Sequence, residues 1–105
     1  PKLGSSWEGF VVEHILDRLG SREAYFWATH QGAELDLMVF HRGRRLGFEV
    51  KFSDAPRLTK SMGIAHDDLE LDSLWVVHPG EVSWPMTEDI EAVAFADLLR
   101  RLDEL

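Results

Sequence analysis

Three observations predict an α/β domain, a mixed β-sheet flanked by helices, with its elements in the order α-β-β-β-α-β-β-α. Residues 34–40 and 45–52 alternate apolar and polar side chains on either side of Arg42-Gly43, the pattern of a β-hairpin. A segment of helical spacing then separates that hairpin from the apolar run Leu74-Trp75-Val76-Val77, as a crossover to a parallel strand requires. A hairpin and a crossover in one chain give a sheet of mixed direction with helices on its faces.

Each element carries its own signal. Residues 5–19 read as the first helix, stopped by Gly20. The aromatic-rich segment 24–30 is a strand broken by Gln31-Gly32, and 34–40 and 45–52 are the hairpin strands. Asp54-Ala55-Pro56 opens a second helix over roughly 58–69, with Leu58, Met62, Ala65 and Leu69 on one side. Residues 71–78 form a buried strand ending at Pro79-Gly80, 90–95 a last strand, and 97–102 a short helix. There are no repeats, low-complexity tracts or linkers, and 105 residues suffice for one domain but not two. Residues 1–105 are therefore expected to be a single domain, and a chain opening at Pro1 is expected to be a fragment of a larger protein.

Composition excludes several function classes. With no cysteine, disulfide frameworks and thiolate metal sites are out. No apolar run approaches the roughly 18–20 residues of a membrane span, and Pro1-Lys2-Leu3-Gly4 has no export pattern. The expectation is a cytoplasmic protein. The net charge of −8 is unevenly distributed: residues 1–40 carry −3, residues 41–60 carry +4, and residues 61–105 carry −9. The basic stretch (Arg42, Arg44, Arg45, Lys51, Arg57, Lys60) reads either as a solvated hairpin surface or as a phosphate-binding patch on an acidic protein.

The hairpin register follows from the turn. With Arg42-Gly43 as the two-residue loop, Leu35 faces Val50, Leu37 faces Phe48 and Val39 faces Leu46, building one apolar face. On the other face Glu34 meets Lys51, Asp36 meets Glu49 and Met38 meets Gly47. A one-residue slip destroys the apolar match. An aspartate and a glutamate thus stand opposed, with a lysine beside them. Either twist and solvent separate them, or a hard divalent cation lies between them, held by the carboxylates and the Val50 carbonyl. Gly47 is expected to leave room for a ligand at the backbone.

The first helix adds a carboxylate. At about 100° per residue, Val11, Ile15, Leu19, Val12 and Leu16 fill an arc with Glu8 at its middle. A carboxylate there is costly unless paired or on a metal. The competing account is a Ser5-x-x-Glu8 capping box. The histidines lack ligand spacing, the serines lack a nucleophile elbow, and no Walker-type phosphate loop is present. Trp7, Trp27, Trp75 and Trp84 read as packing residues.

These residues carry a resemblance. Glu8 on the first helix, Asp36 on the second strand and Glu49-Val50-Lys51 on the third resemble the PD-(D/E)XK nuclease-like superfamily. More narrowly, Gly4-Ser5-Ser6-Trp7-Glu8-Gly9-Phe10, Gly32-Ala33-Glu34-Leu35-Asp36-Leu37 and Phe48-Glu49-Val50-Lys51 resemble the nuclease-like domain found C-terminal to archaeal-type AAA+ ATPases. The resemblance spans residues 4–80. It implies a restriction-endonuclease-like three-layer core and metal-dependent hydrolysis of DNA. Asp36, Glu49, Val50 and Glu8 would hold Mg²⁺ or Mn²⁺. Glu8, Asp36, Glu49 and Lys51 would form the catalytic set, Lys51 orienting water or offsetting phosphorane charge. Arg42, Arg44, Arg45, Arg57 and Lys60 would contact DNA phosphates flanking the site. It further implies an ATPase domain in the same full-length chain, and a homo-oligomer is compatible with it. Leu35 replaces the superfamily's proline, and there is no Gln-x-x-x-Tyr element of the RecB-like exonucleases. The acidic 61–105 half suits a domain whose substrate is delivered by a partner, or a non-catalytic nuclease-fold module for protein interaction or nucleic-acid binding.

Overall fold

A computed structural model describes residues 3–20 and 23–105. The elements run α1 (Leu3–Leu19), β1 (Ala24–Ala28), β2 (Glu34–His41), β3 (Arg44–Val50), α2 (Lys60–Leu69), β4 (Ser73–His78), β5 (Trp84–Pro85), β6 (Ile90–Ala94) and α3 (Phe95–Asp103). The sheet order is β1-β2-β3-β4-β6-β5; β3, β4 and β6 are parallel, and the remaining pairings are antiparallel. The mixed α/β architecture is the expected one. The two-residue β5, which the sequence reading lacks, is too short to show a period of its own.

Two apolar layers sandwich the sheet. On one face Val11, Ile15 and Leu19 of α1 and Leu98 and Leu102 of α3 cover Leu37, Val39, Leu46, Phe48, Val50, Val77 and Val93. On the other, Met62 and Ala65 of α2 cover Leu35, Met38, Leu74, Val76 and Ile90. The apolar arc expected for α1 is the buried one, with Val11 and Ile15 fully enclosed and Glu8 half-buried. Helix α2 begins at Lys60 rather than near 58, because Thr59 is the cap: its hydroxyl accepts a hydrogen bond from the Met62 amide at 3.2 Å.

The hairpin keeps its expected register at the turn end: Leu37 pairs with Phe48, Val39 with Leu46 and His41 with Arg44. Arg42 and Gly43 both have positive φ, 51° and 76°, as a type I′ turn needs. Beyond Leu37 the pattern breaks. Tyr25 pairs with Met38 but Trp27 with Leu35, so Asp36 and Leu37 together oppose Phe26 in a β-bulge. The extra residue turns Leu35 to the α2 side, where it joins Met38 rather than Val50. The Leu35–Val50 pair of the sequence reading is therefore corrected. So is the space over Gly47: a Cβ there would stand 2.5 Å from Leu71 Cδ1, 3.2 Å from Leu74 Cδ1 and 3.3 Å from Leu35 Cδ2. Gly47 admits core side chains, not a ligand.

Candidate active site

The β2–β3 ladder ends at Leu37–Phe48, one step before Asp36 and Glu49. The backbone groups freed there must find other partners, and they find side chains. The Val50 amide donates to Asp36 Oδ2 at 2.7 Å, and the Asp36 amide donates to Glu49 Oε1 at 3.3 Å. At the start of β2 the Ser61 hydroxyl accepts from the Glu34 amide at 2.9 Å and donates to the Glu34 carbonyl at 3.3 Å. The bulge thus opens the hairpin, and two carboxyl groups and a helix serine close the gap.

Asp36 and Glu49 are brought together, though by crossed side-chain bonds rather than as a regular cross-strand pair. Glu49 is buried, its side chain only 7% exposed. Burial first, then the hydrogen bond to Asp36 and the negative charge of Asp36, push its pKa up to about 8, against the pull of Lys51. Near neutral pH Glu49 therefore keeps its proton. Lys51 follows the last residue of β3; its amide is anchored on the Val77 carbonyl at 2.9 Å, and its Nζ lies 3.5 Å from Glu49 Oε2.

Glu8 approaches Asp36, though not Glu49, from α1. It lines a cleft of about 200 Å³ with Gly9, Val12, Phe26 and Asp36. Partial burial and the charge of Asp36 raise its pKa, Lys51 lowers it, and Glu34 adds to the rise. Because α1 begins at Leu3, Ser5 lies inside the helix rather than at its cap, so the capping-box account of Glu8 does not hold. Val50 presents its amide to Asp36.

The basic residues divide. Arg57 lines a second cleft with Lys51, Ser53, Ala55, Pro56 and Thr59, and Lys60 is the next residue after that cleft's edge. Arg42, Arg44 and Arg45 sit at the turn end of the hairpin; Arg45 is opposite Phe40, four residues along β2 from Asp36, and Arg42 is six residues away, so the three stand roughly 13–20 Å off. Arg45 is engaged there: its Nη1 donates to the Leu69 carbonyl at 2.9 Å, and its guanidinium lies over the Phe40 ring. These three do not flank the carboxyl pair, because proximity in sequence becomes distance along an extended hairpin.

Trp7, Trp75 and His78 serve packing. Trp7 rests on Phe52 and Phe95, and Trp75 on Phe48. His78 is fully buried against Trp84, its Nδ1 accepts from the Gly80 amide at 3.0 Å, and burial lowers its pKa. Sequence reasoning missed Phe26, which the bulge exposes beside Asp36. The run Tyr25-Phe26-Trp27 was its only signal. Among the described residues no group of three or more His, Asp or Glu stands close enough to hold a metal ion. Asp36 and Glu49 nevertheless fit one in their chemistry: a buried acid beside a half-buried one, which resists gaining a second charge, is stabilised by a cation in the proton's place.

A sheet opened by a bulge around a carboxyl pair and a lysine defines the class: a mixed α/β domain with an acidic polar centre between its α1 and α2 layers. A family profile described as "Domain of unknown function (DUF4143)" matches residues 3–98, and the chain belongs to that family. It is also similar, at 44% identity over 107 aligned residues, to an uncharacterized protein of Mycobacterium bovis and to one of Mycobacterium tuberculosis. The alignment covers the whole chain but 24% of each relative, so the chain spans about a quarter of their length. No solved structure matches it. Among the described residues no helix is long and apolar enough to cross a membrane.

Proposed function

We propose that this is a PD-(D/E)XK-type nuclease domain that hydrolyses DNA phosphodiesters with a divalent metal. The observation that carries the reading is the Asp36–Glu49 carboxyl pair, joined by crossed backbone bonds, with Lys51 3.5 Å from Glu49, at the point where β2 and β3 part. Asp36 and Glu49 would hold Mg²⁺ or Mn²⁺, with Glu8 completing the acidic set. When bound, such an ion polarises a phosphate and lowers the pKa of its water. Lys51, 41% exposed at the side chain, offers a mobile cation to the attacking water or to charge developing on phosphorus. Arg57 and Lys60 are the basic residues placed to receive a flanking phosphate.

The relatives are about four times as long, which leaves room for the ATPase domain that the resemblance implies. We place that ATPase in the same full-length chain, in the cytoplasm, where it would deliver DNA to an acidic domain. The decisive test is Mn²⁺- or Mg²⁺-dependent cleavage of DNA by wild type, Asp36→Asn and Lys51→Ala. Cleavage that both substitutions abolish, with metal binding retained in Lys51→Ala, supports the reading. Equal cleavage by all three removes it. The alternative, a non-catalytic nuclease-fold module, draws on the lack of a ready three-ligand group among the described residues and on the acidic 61–105 half.

A further inference from the structure

Phe26 has no packing role within the described chain. Its side chain is 82% exposed, in the middle of an edge strand whose next residue, Trp27, is half-buried. Leaving an aromatic ring in water forgoes the stabilisation its burial would bring, and the bulge aims this ring at a particular place. Because Asp36 and Leu37 together oppose it, Phe26 shares one cleft with Asp36, Glu8, Gly9 and Val12. At about 200 Å³ the cleft is smaller than the sites that take drug-sized ligands, and it suits one flat ring. Gly9 lies on its rim beside open space, since a Cβ built there meets nothing within 4 Å, and a large side chain at this position would enter that space.

Resting on the nuclease reading, we propose that Phe26 is a stacking platform for an unpaired base next to the carboxyl centre, which makes the substrate a single-stranded or frayed nucleic acid rather than an intact duplex. The bases of a duplex have their faces covered by their neighbours; only an unstacked base offers one to a side chain. The rim chemistry places the base and not the phosphate in the cleft. Unless a metal ion bridges them, Glu8 and Asp36 repel a phosphate, whereas the cations Lys51 and Arg57 line a separate cleft. The strand would run with a base on Phe26 and its backbone turned towards Lys51.

The test is an anisotropy titration at low ionic strength in EDTA, with a fluorescein-labelled oligothymidylate and a hairpin duplex carrying the same label. Wild type binds the single strand more tightly than the duplex. Phe26→Ala, and Gly9→Leu, which fills the cleft without touching the ring, weaken the single strand on the order of 5- to 150-fold. Tyr25→Ala, an exposed aromatic on the same strand packed against Phe40, leaves it unchanged. Equal affinity for strand and duplex, no binding, or an unaffected Phe26→Ala overturns the proposal. So does a wild type that sediments as a dimer while Phe26→Ala is a monomer, since the ring would then serve contact between copies. Metal-dependent cleavage lost in Asp36→Asn, with binding indifferent to Phe26, removes the platform and keeps the nuclease. Phe26-dependent strand binding without metal-dependent cleavage removes the nuclease and keeps the platform.

Discussion

Replacing Glu49 by glutamine should stabilise the metal-free domain, and by more as the pH rises. Glutamine has the shape of a protonated glutamate: its Oε1 can still accept from the Asp36 amide, and its Nε2 can donate to the Asp36 carboxylate. In the wild type the folded pKa of about 8 lies above the ordinary 4.5. Between those values the native state holds a proton that the unfolded state has released, so stability falls with rising pH. The contribution is fully present below the unfolded value and lost as pH climbs through about 8. At about 1.4 kcal/mol per pH unit the whole span is worth on the order of 5 kcal/mol, with roughly 3 kcal/mol already lost at pH 7. Against a typical domain stability of about 5–15 kcal/mol, that is a large fraction. The assay is urea unfolding of wild type and Glu49→Gln in EDTA at pH 5, 7 and 9. The two should be within about 1 kcal/mol at pH 5 and differ by several kcal/mol at pH 9, with glutamine ahead. A wild type whose stability is level from pH 5 to 9, or a Glu49→Gln less stable at pH 9, would refute the raised Glu49 pKa.

Three further outcomes follow from the same geometry. Mn²⁺ or Mg²⁺ should raise the wild-type unfolding midpoint saturably, by about 2.7 kcal/mol at a hundredfold excess over the dissociation constant; Asp36→Asn should abolish the rise, and by removing one charge of the pair should be up to about 1 kcal/mol more stable than wild type without metal. No shift in wild type at millimolar metal would point to the non-catalytic module. Gly47→Ala should cost about 1–3 kcal/mol, because its Cβ would overlap Leu71, and an added Leu71→Ala should return part of the loss in a double-mutant cycle; an unchanged urea midpoint for Gly47→Ala would show that the layer yields. His78, with a pKa lowered by burial, resists the proton its unfolded form takes up, so stability should fall as the pH drops through the ordinary histidine range. That slope is best read in Glu49→Gln between pH 7 and 5, where a level line would contradict it.

The hairpin shows what could be read from the sequence and what could not. Alternation from Leu37 to Val39 and from Leu46 to Phe48, anchored on Arg42-Gly43, fixed the register at the turn end because one slip exposes every apolar residue. The bulge was not legible: an extra residue in β2 is defined against Phe26 of β1, and the β2–β3 pattern contains no mark of it. Leu35 was misplaced for that reason; Gly47 pairs with Met38 as expected, but Leu35, Leu71 and Leu74 fill the space alternation left open over it. Glu8 was legible as a carboxylate on an apolar arc, and only the true start of α1 decides between its two accounts. The three hairpin arginines were grouped with the site by sequence proximity, a measure that extended strands do not respect.

The crossed bonds at the opened hairpin also alter how this domain's relatives should be compared. Asp36 satisfies the Val50 amide whether or not any reaction takes place, and Glu49 does the same for Asp36. A lineage that abandoned the chemistry would still need an acceptor oxygen at both positions, but asparagine and glutamine supply one without the second charge, so the fold asks for the shape of these residues and not for their acidity. Lys51 adds to this: its side chain is 41% exposed and meets Glu49, and it takes the place of no backbone partner. Retention of both acids together with the lysine, against drift to the amides, is what would separate working members from dormant ones.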